Sequence, residues 1–328
     1  MFVKFVLKRL LFSIPLLLVM SLVAFFIIQA PPGDFITAYT ASLMESGDQL
    51  DYQQLEALRD RYGLDKPVFV QYLKWMGGVI HGDFGLSFQW RTPVSTLIWE
   101  RMGLSLILSV ATVMLTWVIA IPIGIYSSVY KNSIGDYLAT FIGFLGLAIP
   151  SFLLALILMY LSIVKFGFDV SGLFSMEFRN APWSLAKFVD LLKHLWVPVI
   201  ILGVSSTASI IRVMRANLLD ELPKLYVVTA RAKGLSEFKL LMKYPVRVAL
   251  NPIVSTIGWL FPQIISGSII VSFVMGLPTA GPLLLESLKS QDMYLAGSLV
   301  LLLGCLSIIG MLLSDILLAI TDPRIRYQ

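Results

Sequence analysis

The side chains that most often carry enzyme chemistry are sparse in this sequence. It has two histidines, His81 and His194, and one cysteine, Cys305. A histidine can act as a general base or a metal ligand, but these two are far apart in sequence, so we expect ordinary surface histidines. Cys305 lies in an apolar run and is expected to be a small buried side chain. The sequence also has no G-x-x-x-x-G-K-[ST] phosphate-binding loop. We therefore predict no catalytic residue, no metal site, no cofactor and no ATPase activity in this chain.

Small polar residues inside long apolar stretches form the second group of candidates. Such residues either line a solute pathway or allow helices to pack closely, and the sequence leaves both roles open. Aspartate, glutamate, lysine and arginine are missing from the middle of these stretches, which argues against a proton relay or a fixed-ion site. The candidate pathway residues are Ser205, Ser206, Ser209, Gln263, Ser266 and Ser268.

A basic segment between two apolar stretches has the pattern of two short helices joined by a tight turn. Pro223 suits the first turn of a helix, and Gly234 suits its end because glycine adopts positive φ cheaply. Ser236 is then expected to cap a second helix, with Glu237 in its first turn. Basic and apolar residues alternate along the segment. This pattern fits either an interfacial helix on anionic lipid or a docking element for a cytoplasmic partner.

The elements that carry these residues are membrane helices. Of the 328 residues, 57% are hydrophobic and only 14% are charged, and the mean hydropathy is +0.83. A soluble domain has about 25% charged residues, and about 20 apolar residues form one membrane-spanning helix. The sequence therefore predicts an all-α polytopic membrane helix bundle of about six spans. These are 10–30, 104–129, 137–164, 195–211, 250–275 and 295–320. Pro122, Pro150 and Pro262 lie inside them and are expected to kink them.

The distribution of lysine and arginine predicts that both termini are cytoplasmic. Basic residues concentrate at the N-terminus, between spans four and five, and in the tail, whereas the region after the first span is acidic and aromatic. We expect that external region to fold partly as helices, around Leu50–Gly63 and Val68–Trp75. The expected organisation is a retained N-terminal span (1–30), an external loop region (31–102), a five-helix core (103–320) with a cytoplasmic loop at 213–249, and a tail (321–328).

The basic segment resembles the cytoplasmic "EAA" loop of bacterial permeases of ATP-binding-cassette (ABC) importers. In that loop, Glu-Ala-Ala is followed after three residues by glycine; Val228, Thr229 and Ala230 stand at the first three positions and Gly234 at the glycine. The glutamate is missing, but residues 229–235 are close to the variant of the dipeptide, oligopeptide and nickel permease branch. The resemblance implies that the segment contacts an ATPase. The residues concerned are Val228, Thr229, Ala230, Arg231, Ala232, Lys233, Gly234, Leu235 and Ser236.

Other short motifs resemble the same branch in order and spacing along almost the whole chain. They comprise residues 8–11, 30–34, 62–72, 82–87, 276–282 and 322–327. The resemblance implies a non-catalytic permease in a bacterial or archaeal inner membrane. Its implied partners are a second homologous permease, two cytoplasmic ATPases that bind the ATP, and an external solute-binding protein; membrane lipid surrounds it, and no nucleic acid is involved.

The sequence leaves more than one solute and more than one class of membrane protein open. Within the branch, di- or oligopeptides are expected first, with oligosaccharides such as β-linked disaccharides, or nickel, as alternatives. A stand-alone secondary transporter or channel would need no ATPase, and a membrane-embedded enzyme would need buried catalytic groups.

Overall fold

The computed structural model describes residues 2–30, 40, 56, 65–167, 169–257, 260, 263, 265 and 268–321, and in these residues the secondary structure is helical apart from one isolated β-bridge between Leu86 and Pro93. The helices are α1 (Phe2–Gln29), α2 (Val68–Ile80), α3 (Val94–Val129), α4 (Ile134–Ala148), α5 (Ser151–Phe166), α6 (Leu185–Glu221), α7 (Leu225–Ala232), α8 (Glu237–Lys243), α9 (Pro245–Ser255), α10 (Ile269–Val274), α11 (Ala280–Lys289) and α12 (Met293–Thr321).

Four helices in the described part of the chain are long and apolar enough to cross a membrane. They comprise Arg9–Gln29 of α1, all of α3, all of α6, and Met293–Leu318 of α12. The pair α4 and α5 meets the same criterion if it is taken as one span. The all-α membrane helix bundle is thereby confirmed.

Two of the predicted helical regions fall partly outside the described residues. The predicted span 250–275 includes the end of α9 and all of α10, and most of 258–267 between them lies outside the described residues. Of the predicted helix at Leu50–Gly63, only residue 56 is described. Pro262 and the tail residues 322–328 lie outside the described residues. The predicted apolar helix that begins at Val68 is confirmed as α2.

The predicted third span, 137–164, is interrupted rather than kinked. Helix α4 ends at Ala148 and α5 begins at Ser151, and their axes differ by 97°. Ile149 has an extended conformation with ψ of 119°, which is the region that a residue before proline prefers. Pro150 lacks an N–H and cannot continue the hydrogen-bond ladder of α4. By contrast, α3 continues through Pro122 as one helix.

One compact unit comprises Val3–Ser105 and Pro278–Leu306. Its core is built around Trp75, which is fully buried and stacks on Phe25 with ring centroids 5.6 Å apart. The indole Nε1 donates to Ser298 Oγ at 3.4 Å. Helices α1, α2 and α12 therefore meet at one aromatic side chain.

A buried aspartate fixes the loop before α3 in the same unit. Asp292 accepts hydrogen bonds from the Ser87 hydroxyl at 2.5 Å and from the Gln89 and Leu295 backbone N–H groups at 3.2 Å. Burial raises the pKa of Asp292, and these hydrogen bonds oppose that shift. Gly85, at φ +82°, lies against the ring of Tyr294, where a Cβ atom would be 2.7 Å from Cδ1.

The second unit comprises Leu106–Leu277 and the residues from Ser307 onward. Its core lies between α3, α6 and α9, and its buried members are Ala120, Ile210, Ile211, Met214, Leu218, Val246, Ala249 and Ile253. Gly124 permits the close approach of α3 to α6, because a Cβ atom there would be 2.6 Å from Met214 Cβ. Helix α9 therefore packs back along the end of α6.

Helix α6 is much longer than the predicted span 195–211 that it contains. Its 37 residues correspond to about 55 Å, whereas the hydrocarbon core of a bilayer is about 30 Å thick. The additional turns carry polar residues at both ends, among them Asp190 and Arg215. Because the helix is continuous, it connects the apolar core of this unit directly to the basic segment that follows Glu221.

A bidentate ion pair joins the start of α4 to α6. Arg215 Nε and Nη2 donate to the two carboxylate oxygens of Asp136, both at 2.9 Å. Asp136 is buried, and the Asn132 N–H also donates to it at 3.0 Å. The Ser128 hydroxyl donates to the Arg215 carbonyl oxygen at 3.2 Å. The turn between α3 and α4 is thus bound to α6.

Replacing Arg215 with alanine should therefore destabilise the protein strongly. The change leaves the buried Asp136 carboxylate without its cation, and breaking a buried pair costs about 3–5 kcal/mol. We expect the lower end of that range, because the Arg215 side chain is 30% exposed. The measurement is the free energy of unfolding in mixed detergent micelles.

Arg212→Ala is the matched control for Arg215→Ala. Arg212 lies 5.5 Å from the centroid of the Phe144 ring, an interaction worth about 0.5–1 kcal/mol at an exposed site. Equal losses of stability in the two variants would contradict the assignment of the ion pair as a buried anchor.

Candidate functional site

The basic segment folds as the two short helices that its sequence predicts. Helix α7 spans Leu225–Ala232 and α8 spans Glu237–Lys243. Pro223, expected in the first turn of α7, instead lies in the turn between α6 and α7, and Lys224 is the N-cap residue. This position suits a residue that cannot donate to a continuing helix: α6 ends at Glu221, and Pro223 follows two residues later.

The turn between α7 and α8 depends on a positive φ at Gly234. Its φ is +79°, as the sequence predicts, and its N–H donates to the Arg231 carbonyl oxygen at 3.0 Å. A Cβ atom at this position would meet nothing within 4 Å. Glycine is therefore favoured here by the backbone conformation and not by crowding.

An ion pair closes the same turn. Arg231 Nε and Nη2 donate to the two carboxylate oxygens of Glu237 at 2.6 and 3.1 Å. These hydrogen bonds hold the pKa of Glu237 below its usual range and raise the pKa of Arg231. The pair is therefore complete at neutral pH and is lost only as the pH falls through the lowered pKa of Glu237. Ser236 occupies the N-cap position of α8, but its hydroxyl makes no capping hydrogen bond, contrary to expectation.

The two helices share a small core of their own. Val227, Ala230 and Leu240 are buried together, with Leu235 and Tyr244 packed around them. Of the nine predicted coupling residues, Ala230 is thus buried and Leu235 half-buried. The others are exposed, namely Val228, Thr229, Arg231, Ala232, Lys233, Gly234 and Ser236.

The segment is also fixed to the end of α6. The Lys224 ammonium group and the Tyr226 hydroxyl donate to the two carboxylate oxygens of Glu221, and the Glu221 carboxylate is nearly buried. The sequence analysis missed this anchor, although the spacing of Glu221 and Lys224, three residues apart, is typical of an ion pair between neighbouring turns. Both partners of Glu221 lie at the start of α7, so Glu221 joins the end of α6 to the start of α7.

Large apolar side chains project from the segment into solvent. Leu225 is 84% exposed and Phe238 is 76% exposed, and Val228 and Met242 are also exposed. Leu225 and Val228 are three residues apart on α7, and Phe238 and Met242 are four apart on α8, so each pair lies on one helix face. The basic residues Lys233, Lys239 and Lys243 of the same segment are exposed as well. Exposed apolar side chains among charged ones mark a surface that binds protein or membrane.

The candidate pathway residues have different environments. The Ser205 hydroxyl donates to the Gly146 carbonyl oxygen at 3.0 Å, and the Ser268 hydroxyl donates to the Ile265 carbonyl oxygen at 3.0 Å. Ser206 is half-buried, whereas Ser209 and Gln263 are exposed. Ser266 lies outside the described residues. Their role in a solute pathway stays a prediction.

One of the two histidines differs from expectation. His81 is exposed, as expected of a surface residue, but His194 is buried. Its Nδ1 lies 2.9 Å from the Asp190 carbonyl oxygen. The sequence around it did not indicate this, because burial depends on packing in three dimensions. One helical turn before His194, the Ser175 N–H and hydroxyl donate to the Asp190 carboxylate and join the loop 169–184 to α6. The residues that the structure describes contain no group of three side chains that could hold a metal ion.

The long apolar helices and the two-helix segment at the end of α6 define a polytopic membrane protein with a polar, partner-accessible loop. Comparison with known proteins specifies the family. Residues 120–327 match the family described as "Binding-protein-dependent transport system inner membrane component", and residues 1–111 match its N-terminal model. The chain belongs to this family and is a multi-pass inner-membrane protein.

Several relatives align along nearly their whole length. The chain is 36% identical to the oligopeptide transport system permease protein AppB of Bacillus subtilis, over 98% of this chain and 99% of AppB. It is 35% identical to a putative peptide permease protein of Brucella ovis, with the same coverage. It is 31% identical to the glutathione transport system permease protein GsiC of Escherichia coli, over 99% of both chains.

Charge reversal should show that the pair between Arg231 and Glu237 orders the turn. Arg231→Glu or Glu237→Arg places like charges together, so we expect faster backbone hydrogen exchange at Gly234–Ser236 in either single variant. The double variant restores opposite charges and should return close to the wild-type rate. In 1 M salt, where the screening length is about 3 Å, the differences should shrink.

Lys239→Glu is the control for Arg231→Glu, because Lys239 is exposed on α8 and its substitution makes the same change of charge. If the double variant exchanged as fast as the single variants, the pair would have no ordering role.

Proposed function

We propose that this chain is the permease subunit of an ABC importer for peptides, and that residues 225–243 transmit motion from a cytoplasmic ATPase. The observation that carries the proposal is the two-helix segment, which exposes apolar side chains while its own core holds its two helices together and Glu221 fixes it to α6. The chain would be a non-catalytic subunit, with ATP bound by two partner ATPases. An external binding protein and a second permease, in a heterodimer, would complete the importer.

The chemistry of the exposed surface favours a protein partner of a particular kind. Phe238 and Leu225 need an apolar cleft, and the exposed lysines of the same segment favour a partner with acidic residues near that cleft. Lipid is a poorer partner, because α7 has 8 residues and α8 has 7, or about 12 Å each. Two such short helices bury little apolar area in a membrane surface.

The internal contacts of the segment make it a suitable lever. A lever transmits displacement only if its parts do not bend independently. The Arg231–Glu237 pair and the shared core of Val227 and Leu240 hold α7 and α8 together, and Glu221 holds α7 to α6. This segment would lie on the cytoplasmic side, with both chain termini on the same side, as the charge distribution predicts.

Peptides are the proposed solute because the relatives named above are permeases of oligopeptide, peptide and glutathione transport systems. The contacts of the external binding protein with the solute would set most of the selectivity. The chain described here would supply half of the path and one lever.

Gly234→Pro should separate transport from ATP hydrolysis. Proline fixes φ near −65°, which is incompatible with the φ of +79° at this position, and it removes the N–H that donates to Arg231. In proteoliposomes with the partner subunits, we expect peptide uptake to fall below about a tenth of wild type, because the lever is broken. ATP hydrolysis should no longer respond to the loaded binding protein, and membrane insertion should be unchanged.

Gly234→Asn is the matched control, because asparagine tolerates a left-handed conformation, and most of the uptake should remain. Normal coupled uptake by Gly234→Pro would rule out the lever role. Uptake by this chain alone, without ATPase subunits, would instead support a secondary transporter.

A further inference from the structure

The break between α4 and α5 leaves a backbone acceptor without its usual donor. In an α-helix the carbonyl oxygen of residue i accepts from the N–H of residue i+4. The residue four positions after Gly146 is Pro150, which has no N–H. The carbonyl group of Gly146 is therefore deprived of its helical hydrogen bond by the sequence itself.

A side chain from α6 supplies the missing donor. The Ser205 hydroxyl donates to the Gly146 carbonyl oxygen at 3.0 Å. Gly146 is buried and Ser205 is half-buried, so water is a poor substitute. An unsatisfied buried acceptor costs about 1–3 kcal/mol, and in membrane helices the carbonyl groups freed by proline are commonly satisfied by serine or threonine of a neighbouring helix.

Close packing brings the serine within reach. A Cβ atom at Gly146 would lie 2.7 Å from Val204 Cγ1, the side chain next to Ser205. At Gly143 it would lie 3.7 Å from Ala208 Cβ, one turn further along both helices. Small residues thus allow α4 and α6 to approach, as they do in membrane helix pairs generally.

Helix α4 is consequently held on α6 near both of its ends. The Asp136–Arg215 ion pair fixes its first turn, and the Ser205–Gly146 hydrogen bond fixes its last turn. Within the chain, α4 continues into α5 only through the extended residues Ile149 and Pro150. These two residues have extended backbone dihedral angles, so the hydrogen-bond ladder of α4 is interrupted before α5 begins.

We infer that Ser205 is a positioning residue of the transport cycle and not a contact for the solute. By satisfying the carbonyl group that Pro150 frees, Ser205 keeps the broken end of α4 on α6. Helix α4 then follows α6 when the basic segment moves, while α5 turns about Ile149–Pro150. This inference rests on the proposed function for its cycle, and it replaces the expectation that Ser205 lines the pathway.

A double-substitution cycle tests the assignment. The proteins are wild type, Ser205→Ala, Pro150→Ala and the double variant, each assembled with the partner subunits. Pro150→Ala provides a backbone N–H that can reach Gly146. Ser205→Ala should therefore lower the maximal peptide uptake about tenfold in the wild-type background and less than about twofold in the Pro150→Ala background, with KM unchanged.

The thermal unfolding midpoint of the same four proteins gives a readout that is independent of transport. Ser205→Ala should lower the midpoint in the wild-type background and leave it unchanged in the Pro150→Ala background. The control is Ser255→Ala, because among the residues that the structure describes the Ser255 hydroxyl bonds within its own helix, to the carbonyl oxygens of Asn251 and Pro252. That variant should change neither uptake nor the midpoint.

Spin labels distinguish positioning in the cycle from stability alone. In a Cys305→Ser background, the pair Phe141→Cys and Tyr160→Cys reports α4 against α5, and the pair Phe141→Cys and Trp196→Cys reports α4 against α6; all three sites are exposed. Between the ATP-free and the vanadate-trapped complex, the first distance should change and the second should not. With Ser205→Ala, the second distance distribution should broaden on trapping.

The possible results separate this inference from the proposed function. A wild-type complex that moves no peptide overturns the proposed function. If it does move peptide, additive effects of Ser205→Ala and Pro150→Ala overturn the inference. A change of KM that depends on the peptide, with an unchanged midpoint, also overturns it and makes Ser205 a solute contact.

Discussion

The requirement that backbone hydrogen bonds be satisfied without water governs this chain more than any single side-chain contact. In hydrocarbon an unpaired N–H or carbonyl group costs several kcal/mol, so a spanning segment is helical wherever it can be. Helices α3 and α6 obey this rule without interruption, even through Pro122 and Pro198. Pro150 causes the break between α4 and α5, and the break is tolerated because another helix supplies a donor to Gly146.

The same requirement explains why α6 is the mechanical axis of its unit. Helix α6 is continuous over 37 residues, Pro198 included. It carries Ser205 near its middle, Arg215 ten residues later and Glu221 at its end. These side chains bind, respectively, the last turn of α4, the first turn of α4 and the start of α7. The basic segment and both ends of α4 are therefore bound to the same helix, with no loop between their points of attachment.

Features that depend on local sequence could be predicted, and features that depend on closure in three dimensions could not. Hydropathy predicted α1, α12 and the part of α3 from residue 104 onward, although α3 begins at Val94. It predicted only the apolar middle of α6, because Asp190 and Arg215 lower the average although the helix continues. The positive φ of Gly234 was predictable because it is a property of one residue. The pairing of Glu237 with Arg231 was not, since it exists only once the turn has closed. Pro150 likewise indicated only a kink in the sequence. The angle between α4 and α5 also depends on contacts with α6, namely the Ser205 hydrogen bond and the close packing at Gly146.

The contacts of the basic segment differ in what they contribute. The Arg231–Glu237 pair is exposed, and exposed ion pairs add little to stability. Its value is geometric, because two parallel hydrogen bonds fix the guanidinium and carboxylate planes and with them the angle between α7 and α8. The energy that keeps the helices together comes from burying Val227 and Leu240. The segment therefore has a core of its own while Phe238 and Leu225 stay exposed. A partner can bind these two side chains without unfolding α7 and α8.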